Sequence, residues 1–105
     1  MPVTITPVPS FTLDAAINGS FGFASSAILL PGTPGSDACV RVTNMGPCPI
    51  SIALGASTVA VTQSTGLLVM AGQSLFLTLG TATYIAGVAC GGPGNSSTVN
   101  VATGS

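Results

Sequence analysis

Few side chains in this 105-residue chain can do chemistry: Asp14, Asp37, Arg41, Tyr84 and the thiols Cys39, Cys48 and Cys90, with no His, Lys or Glu. General acid and base catalysis needs a group that titrates near the working pH, most often an imidazole, a carboxylate or an amine. Here only two aspartates and three thiols are on offer. A cysteine nucleophile without a neighbouring base stays largely protonated and unreactive, and a serine triad has no base at all. The chain is therefore not expected to be an enzyme, and no cofactor is expected.

Transition metals favour Cys, His and carboxylates at paired spacing. Cys39 and Cys48 stand nine positions apart and no C-x-x-C occurs, so no metal site is expected. The run Gly91-Gly92-Pro93-Gly94 shares only its glycines with phosphate-cradling loops, and it lacks their lysine and following helix. One arginine and a net charge of −1 cannot neutralise the several phosphates that nucleic-acid binding requires. An odd number of cysteines disfavours a disulfide framework; Cys48 with Cys90 stays geometrically open, and three small buried hydrophobes is the plainer reading.

Composition narrows the function more than any motif. The chain is 47% apolar but only 3% charged, against about 25% charged in an ordinary soluble domain. Such a surface must be built of Ser, Thr, Asn, Gly and apolar groups. Natural sheets protect their edges with charge, lysine above all, and that protection is missing here, so covering by other subunits is expected. Apolar runs such as Ala27–Leu30 and Leu67–Ala71 fall far short of the roughly 20 residues of a membrane span. Met1–Ser10 has three prolines and no basic region, unlike a signal peptide; synthesis and assembly in a cytoplasm are expected.

The elements that must position these residues are strands. Ala38–Gly55 alternates with period two, Val40 and Val42 before a break and Ile50, Ile52 and Leu54 after it. Asn44, Gly46, Pro47 and Pro49 supply the break, which predicts a hairpin. Pairing Val42 with Ile50 keeps both apolar sets on one face. That register leaves Met45-Gly46-Pro47 as the loop, gives Gly46 a positive φ, and sets Arg41 across from Ser51. Arg41 then reads either as a solvated strand residue or internal partner of Asp37 or Asp14, or as an interface anchor with five donors.

Elsewhere, Pro2–Pro9 reads as an extended arm or edge strand, because its prolines cannot donate to a ladder. Asp14–Ser20 reads as a short helical turn or loop, and Phe21–Leu30 as one strand buried on both sides. Pro31–Asp37 is a loop rich in turn residues. Further strands are expected at Thr58–Thr62, Leu67–Met70, Ser74–Leu79, Thr83–Cys90 and Ser97–Ala102. About eight short strands without a convincing helix predict an all-β, single antiparallel β-sandwich or jelly roll, with an arm over residues 1–13 and the sandwich over 14–105.

The stretches V-R-V-T-N-M-G-P-C-P-I-S-I-A-L-G (Val40–Gly55), S-T-V-A-V (Ser57–Val61), L-L-V-M-A-G-Q-S-L-F-L-T-L (Leu67–Leu79), T-Y-I-A-G-V (Thr83–Val88) and S-T-V-N-V-A-T-G (Ser97–Gly104) resemble the capsid decoration, or cement, proteins of tailed bacteriophages. The shared features are a V-x-V-x-N-x-G hairpin, a P-G-type loop before an apolar strand and a terminal alternating strand; Met70-Ala71-Gly72 departs from the P-G form. The resemblance implies a non-enzymatic virion protein on the capsid exterior, bound to major capsid protein and to itself as a dimer or trimer, with neither nucleic acid nor membrane as partner. Its interface would include Val3, Ile5, Pro7, Pro9 and Phe11 of the arm, laid across a neighbour, and Arg41. The alternatives are a receptor- or glycan-binding head or tail appendage, which would want Tyr84 or Phe76 exposed in a concave site, and a host-secreted adhesin or pilus module, which would need an upstream signal sequence.

Overall fold

Period-two alternation becomes a strand where one face can be buried, and eight segments meet that condition: β1 (Leu13–Gly22), β2 (Ser26–Leu29), β3 (Cys39–Pro47), β4 (Ile50–Gly55), β5 (Leu67–Val69), β6 (Ser74–Thr78), β7 (Tyr84–Ala89) and β8 (Ser96–Gly104). The computed structural model describes residues 12–32 and 37–104. Its two four-stranded sheets run β1-β8-β3-β6 (sheet A) and β2-β7-β4-β5 (sheet B), with every pairing antiparallel. Within them β1 pairs with β8, β2 with β7, β3 with β6 and β4 with β5, which is one long hairpin folded over on itself. The expected antiparallel sandwich is thus a jelly roll.

The core lies between the sheets. From sheet A come Phe21, Val40, Val42, Val99 and Val101, and from sheet B Ile50, Ile52, Val69 and Ile85, all essentially buried. Each such side chain contributes roughly 1.5–3 kcal/mol by leaving water. A smaller cluster lies on the outside of sheet B, where Val61 and Val59 cover Ala53, Ala86 and Val88.

The chain around Pro47 does not form the expected hairpin. β3 and β4 lie in opposite sheets, so Val40 and Val42 face Ile50 and Ile52 across the core instead of pairing beside them. Alternation reports which face is buried and is blind to whether the burying partner is a ladder neighbour or the opposite sheet about 10 Å away. Arg41 consequently pairs with Phe76 and Ala102 rather than lying across from Ser51. Gly46 does take a positive φ, 90°, but it sits at a register shift within β3 and not in a hairpin loop.

Asn44 holds this crossing. It occupies the inward phase of Val40 and Val42 and is fully buried. Its Nδ2 donates to the carbonyls of Cys48 (2.8 Å) and Val69 (2.9 Å). Its Oδ1 accepts from the Gly46 N–H (2.9 Å) and the Ser97 hydroxyl (2.5 Å). Its backbone N–H donates to Gln73 O (2.9 Å) and its carbonyl accepts from Gly72 N–H (2.7 Å). One residue thereby ties β3 to the crossing, to β5, to the turn before β6 and to β8.

Three other expectations change. Asp14–Ser20 is strand, because Ile17 and Phe21 share an inward face opposite β8. Phe21–Leu30 is two strands in two sheets; the chain bends after Gly22, leaving Phe23 exposed, and β2 is an exposed edge rather than a strand buried on both sides. Thr58–Thr62 is irregular, serving as the cover over the outside of sheet B, and Val61 N–H is held by the Ser25 hydroxyl (3.2 Å). Its valines share a face as the alternation predicts, but that face packs flat onto Ala86 and Val88 with no ladder partner.

Two substitutions test this packing. A Cβ at Gly87 would run into the Phe21 ring, whereas one at Gly92 meets nothing within 4 Å. Gly87→Ala should cost about 1–3 kcal/mol in urea unfolding, with Gly92→Ala close to wild type; equal effects would contradict the packing. Asn44→Ala strands several buried partners and should cost about 3 kcal/mol. Asn44→Asp should cost more, because it turns an acceptor toward two carbonyls.

Candidate functional site

The outer face of sheet A carries the chain's one cation, and the register arranges its side chains in rows. Asn18, Asn100, Thr43 and Ser74 stand in one row across all four strands, and Ala16, Ala102, Arg41 and Phe76 stand in the next. Asn100 Nδ2 donates to Asn18 Oδ1 (2.8 Å), and the Thr43 and Ser74 hydroxyls are 2.8 Å apart. Arg41 Nη2 donates diagonally to Asn100 Oδ1 (3.3 Å). Arg41 is thus half-buried within a hydrogen-bonded polar strip.

Four strands are sheet edges: β1 and β6 in sheet A, β2 and β5 in sheet B. Each exposes large apolar side chains: Leu13 on β1, Leu29 (58% exposed) on β2, Leu67 and Leu68 (57%) on β5, and Phe76 on β6. Met45 on β3 and Met70, just after β5, are exposed as well. Among the residues of these four strands, Asp14 alone is charged. Edge position among the described strands, apolar side chains and almost no charge are the features that let one sheet accept another strand.

The remaining candidates are scattered. Asp14 and Asp37 approach each other beside Gly32, and the Thr103 hydroxyl, which donates to Pro31 O (2.9 Å), completes the group. Asp37 is buried and Asp14 exposed. Cys39, Cys48 and Cys90 are half-buried free thiols, not fully buried hydrophobes. Cys48 and Cys90 lie near one another, since Cys90 N–H donates to Pro49 O (2.8 Å). Among the described residues, no three His, Cys, Asp or Glu side chains gather where a metal ion could be held. Phe76 and Tyr84 belong to different sheets, so the structure does not bring them together, and Phe76 stands on an open sheet face. The arm residues Val3, Ile5, Pro7, Pro9 and Phe11 lie outside the described residues.

Sequence reasoning found Arg41 but missed the strip around it, because the strip depends on which strands are neighbours. Asn18, Asn100, Thr43 and Ser74 each look like ordinary outward strand residues until the order β1-β8-β3-β6 aligns them.

No protein-family model matches the chain, and no curated protein matches it in sequence. A chain from Bacillus endospore appendages, described as a novel family of disulfide-linked pili, is similar in fold. The TM-score is 0.53 at 12% identity, over 99% of this chain and 98% of that one. At that identity the likeness concerns the fold.

Because Arg41 lies on the surface of an already complete sheet, Arg41→Ala should cost no more than about 1 kcal/mol in denaturant unfolding. A loss several times larger would make it a structural residue and remove it from the candidate interface.

Proposed function

We propose that this chain is a non-enzymatic structural subunit that works in many copies, and specifically a decoration protein on the outside of a tailed-phage head. It would contact major capsid protein and copies of itself, with the arm through Phe11 lying across a neighbour and Arg41 as a polar anchor. One observation carries this reading: four sheet edges with a single charge among them, Asp14, each with exposed apolar side chains. A molecule that lived alone would be exposed to indiscriminate edge pairing. The resemblance of Val40–Gly55 and the later strands to cement proteins supplies the capsid, and the jelly-roll fold suits it.

A second reading, a subunit of a surface appendage, is favoured by the fold likeness to the endospore pili. Those pili are disulfide-linked, and the half-buried thiols of Cys39, Cys48 and Cys90 are available for links between copies.

Adding the purified protein to capsids that lack it separates the two. Decoration predicts saturable binding seen by electron microscopy and co-sedimentation. Raising salt should barely weaken that binding, since screening acts on charges and few take part. Filaments formed by the protein alone and shortened by reductant would favour the appendage. Failure to bind capsids together with a strictly monomeric state would overturn both.

A further inference from the structure

The two edges of sheet A fit each other. We propose that copies of this chain join head to tail, with β1 of one molecule pairing antiparallel to β6 of the next so that sheet A continues from copy to copy. The inference rests on the multi-copy reading above and names the contact through which the copies meet.

Direction comes first. Alternating antiparallel pairings make β1 and β6 antiparallel, so a second copy in the same orientation presents β6 to β1 with the sheet's alternation unbroken. Backbone phase agrees as well. Asn44 N–H donates to Gln73 O and Leu79 N–H to Ala38 O, which makes Thr43 and Ser74 a non-hydrogen-bonded pair. The backbone groups of Ser74, Phe76 and Thr78 therefore point away from β3, out of the sheet. Carried across β3 and β8, the same alternation turns the backbone groups of Asn18 and Ala16 outward from β1.

Side chains then fix the register. Continuing the rows sets Asn18 opposite Ser74 of the next copy and Ala16 opposite its Phe76. The polar row stays polar, and the large ring lies over the small Ala16 side chain. On the inner face the same register sets Ile17 against Leu75 and Ala15 against Leu77. Ile17, Leu75 and Leu77 are the partly buried rim of the core, and each would complete its burial against the neighbour. Asp14 is the one charge on either strand and has no charged counterpart on β6, so no like-charge pair opposes the contact. Two different patches meet in such a contact. It closes into a ring such as a trimer or runs on as a filament, and it excludes a two-fold dimer.

Charge placed on the exposed row tests it. Asn18→Lys with Ser74→Lys puts like charges across the proposed contact, and Asn18→Glu with Ser74→Lys puts opposite charges there. Sedimentation velocity over a concentration series should show wild type associating, and N18K/S74K associating only at about fivefold or more higher concentration. N18E/S74K should recover, which also shows that substitution at these sites leaves the fold competent. A wild type that stays monomeric would fail the multi-copy reading itself. Association unchanged in N18K/S74K would overturn the β1–β6 contact alone. So would a species that stops at a dimer, or association lost on removing residues 1–11 while N18K/S74K behaves as wild type.

Discussion

The buried amide of Asn44 is the constraint on which the rest of this molecule depends. A jelly roll needs its third and fourth strands to leave one sheet and enter the other within a few residues. The short link through Cys48 and Pro49 makes that step. Prolines at 47 and 49 cannot donate backbone hydrogen bonds, so the crossing has few bonds of its own to hold it. Asn44 supplies them from inside the core by donating to Cys48 O and Val69 O and accepting from Gly46 and Ser97. A buried polar group is tolerable only when its capacity is met, and here all four positions are filled. The same residue clasps Gly72 and Gln73 through its backbone, which sets where β6 begins and thereby where the free edge of sheet A lies.

From that edge follows the character of the surface. Closing the two sheets over one core uses the inward faces of all eight strands and leaves four strands at sheet edges among the described residues. Most β proteins blunt such edges with charge, and this one has three charged side chains in its whole length. Its outer face is instead a strip of amides and hydroxyls in register with one arginine. Such a surface binds by shape, backbone pairing and apolar contact, all of which are short-ranged and insensitive to salt.

Most strand positions were legible in the sequence because alternation is a local property. Val40 and Val42, Leu75 and Leu77, and Val99 and Val101 all bury the face that their spacing predicts. Partner choice was not legible, because Val42 buries equally well beside Ile50 or across from it. The signal against a hairpin was Asn44 itself. A polar side chain on the inward phase of a strand demands several specific partners, and a tight turn could not have provided them from β5 and β8. Two other misreadings share a cause. Phe21–Leu30 and Thr58–Thr62 are apolar enough for strands, but in one the chain changes sheets after Gly22. In the other, valines cover the outside of a sheet without joining a ladder. The polar strip of sheet A was invisible for the complementary reason, since it exists only across strands distant in sequence.

That the nearly uncharged edges of sheet A are closed by copies of the same chain is tested most directly by amide hydrogen exchange, compared between dilute and associated protein. Closure predicts that the outward N–H groups of Ala16, Asn18 and Ser74 become protected on association, while the amides of the loop at Gly91–Gly94 keep exchanging freely. Exchange at those three positions that is as fast in the associated protein as in the dilute one would contradict it.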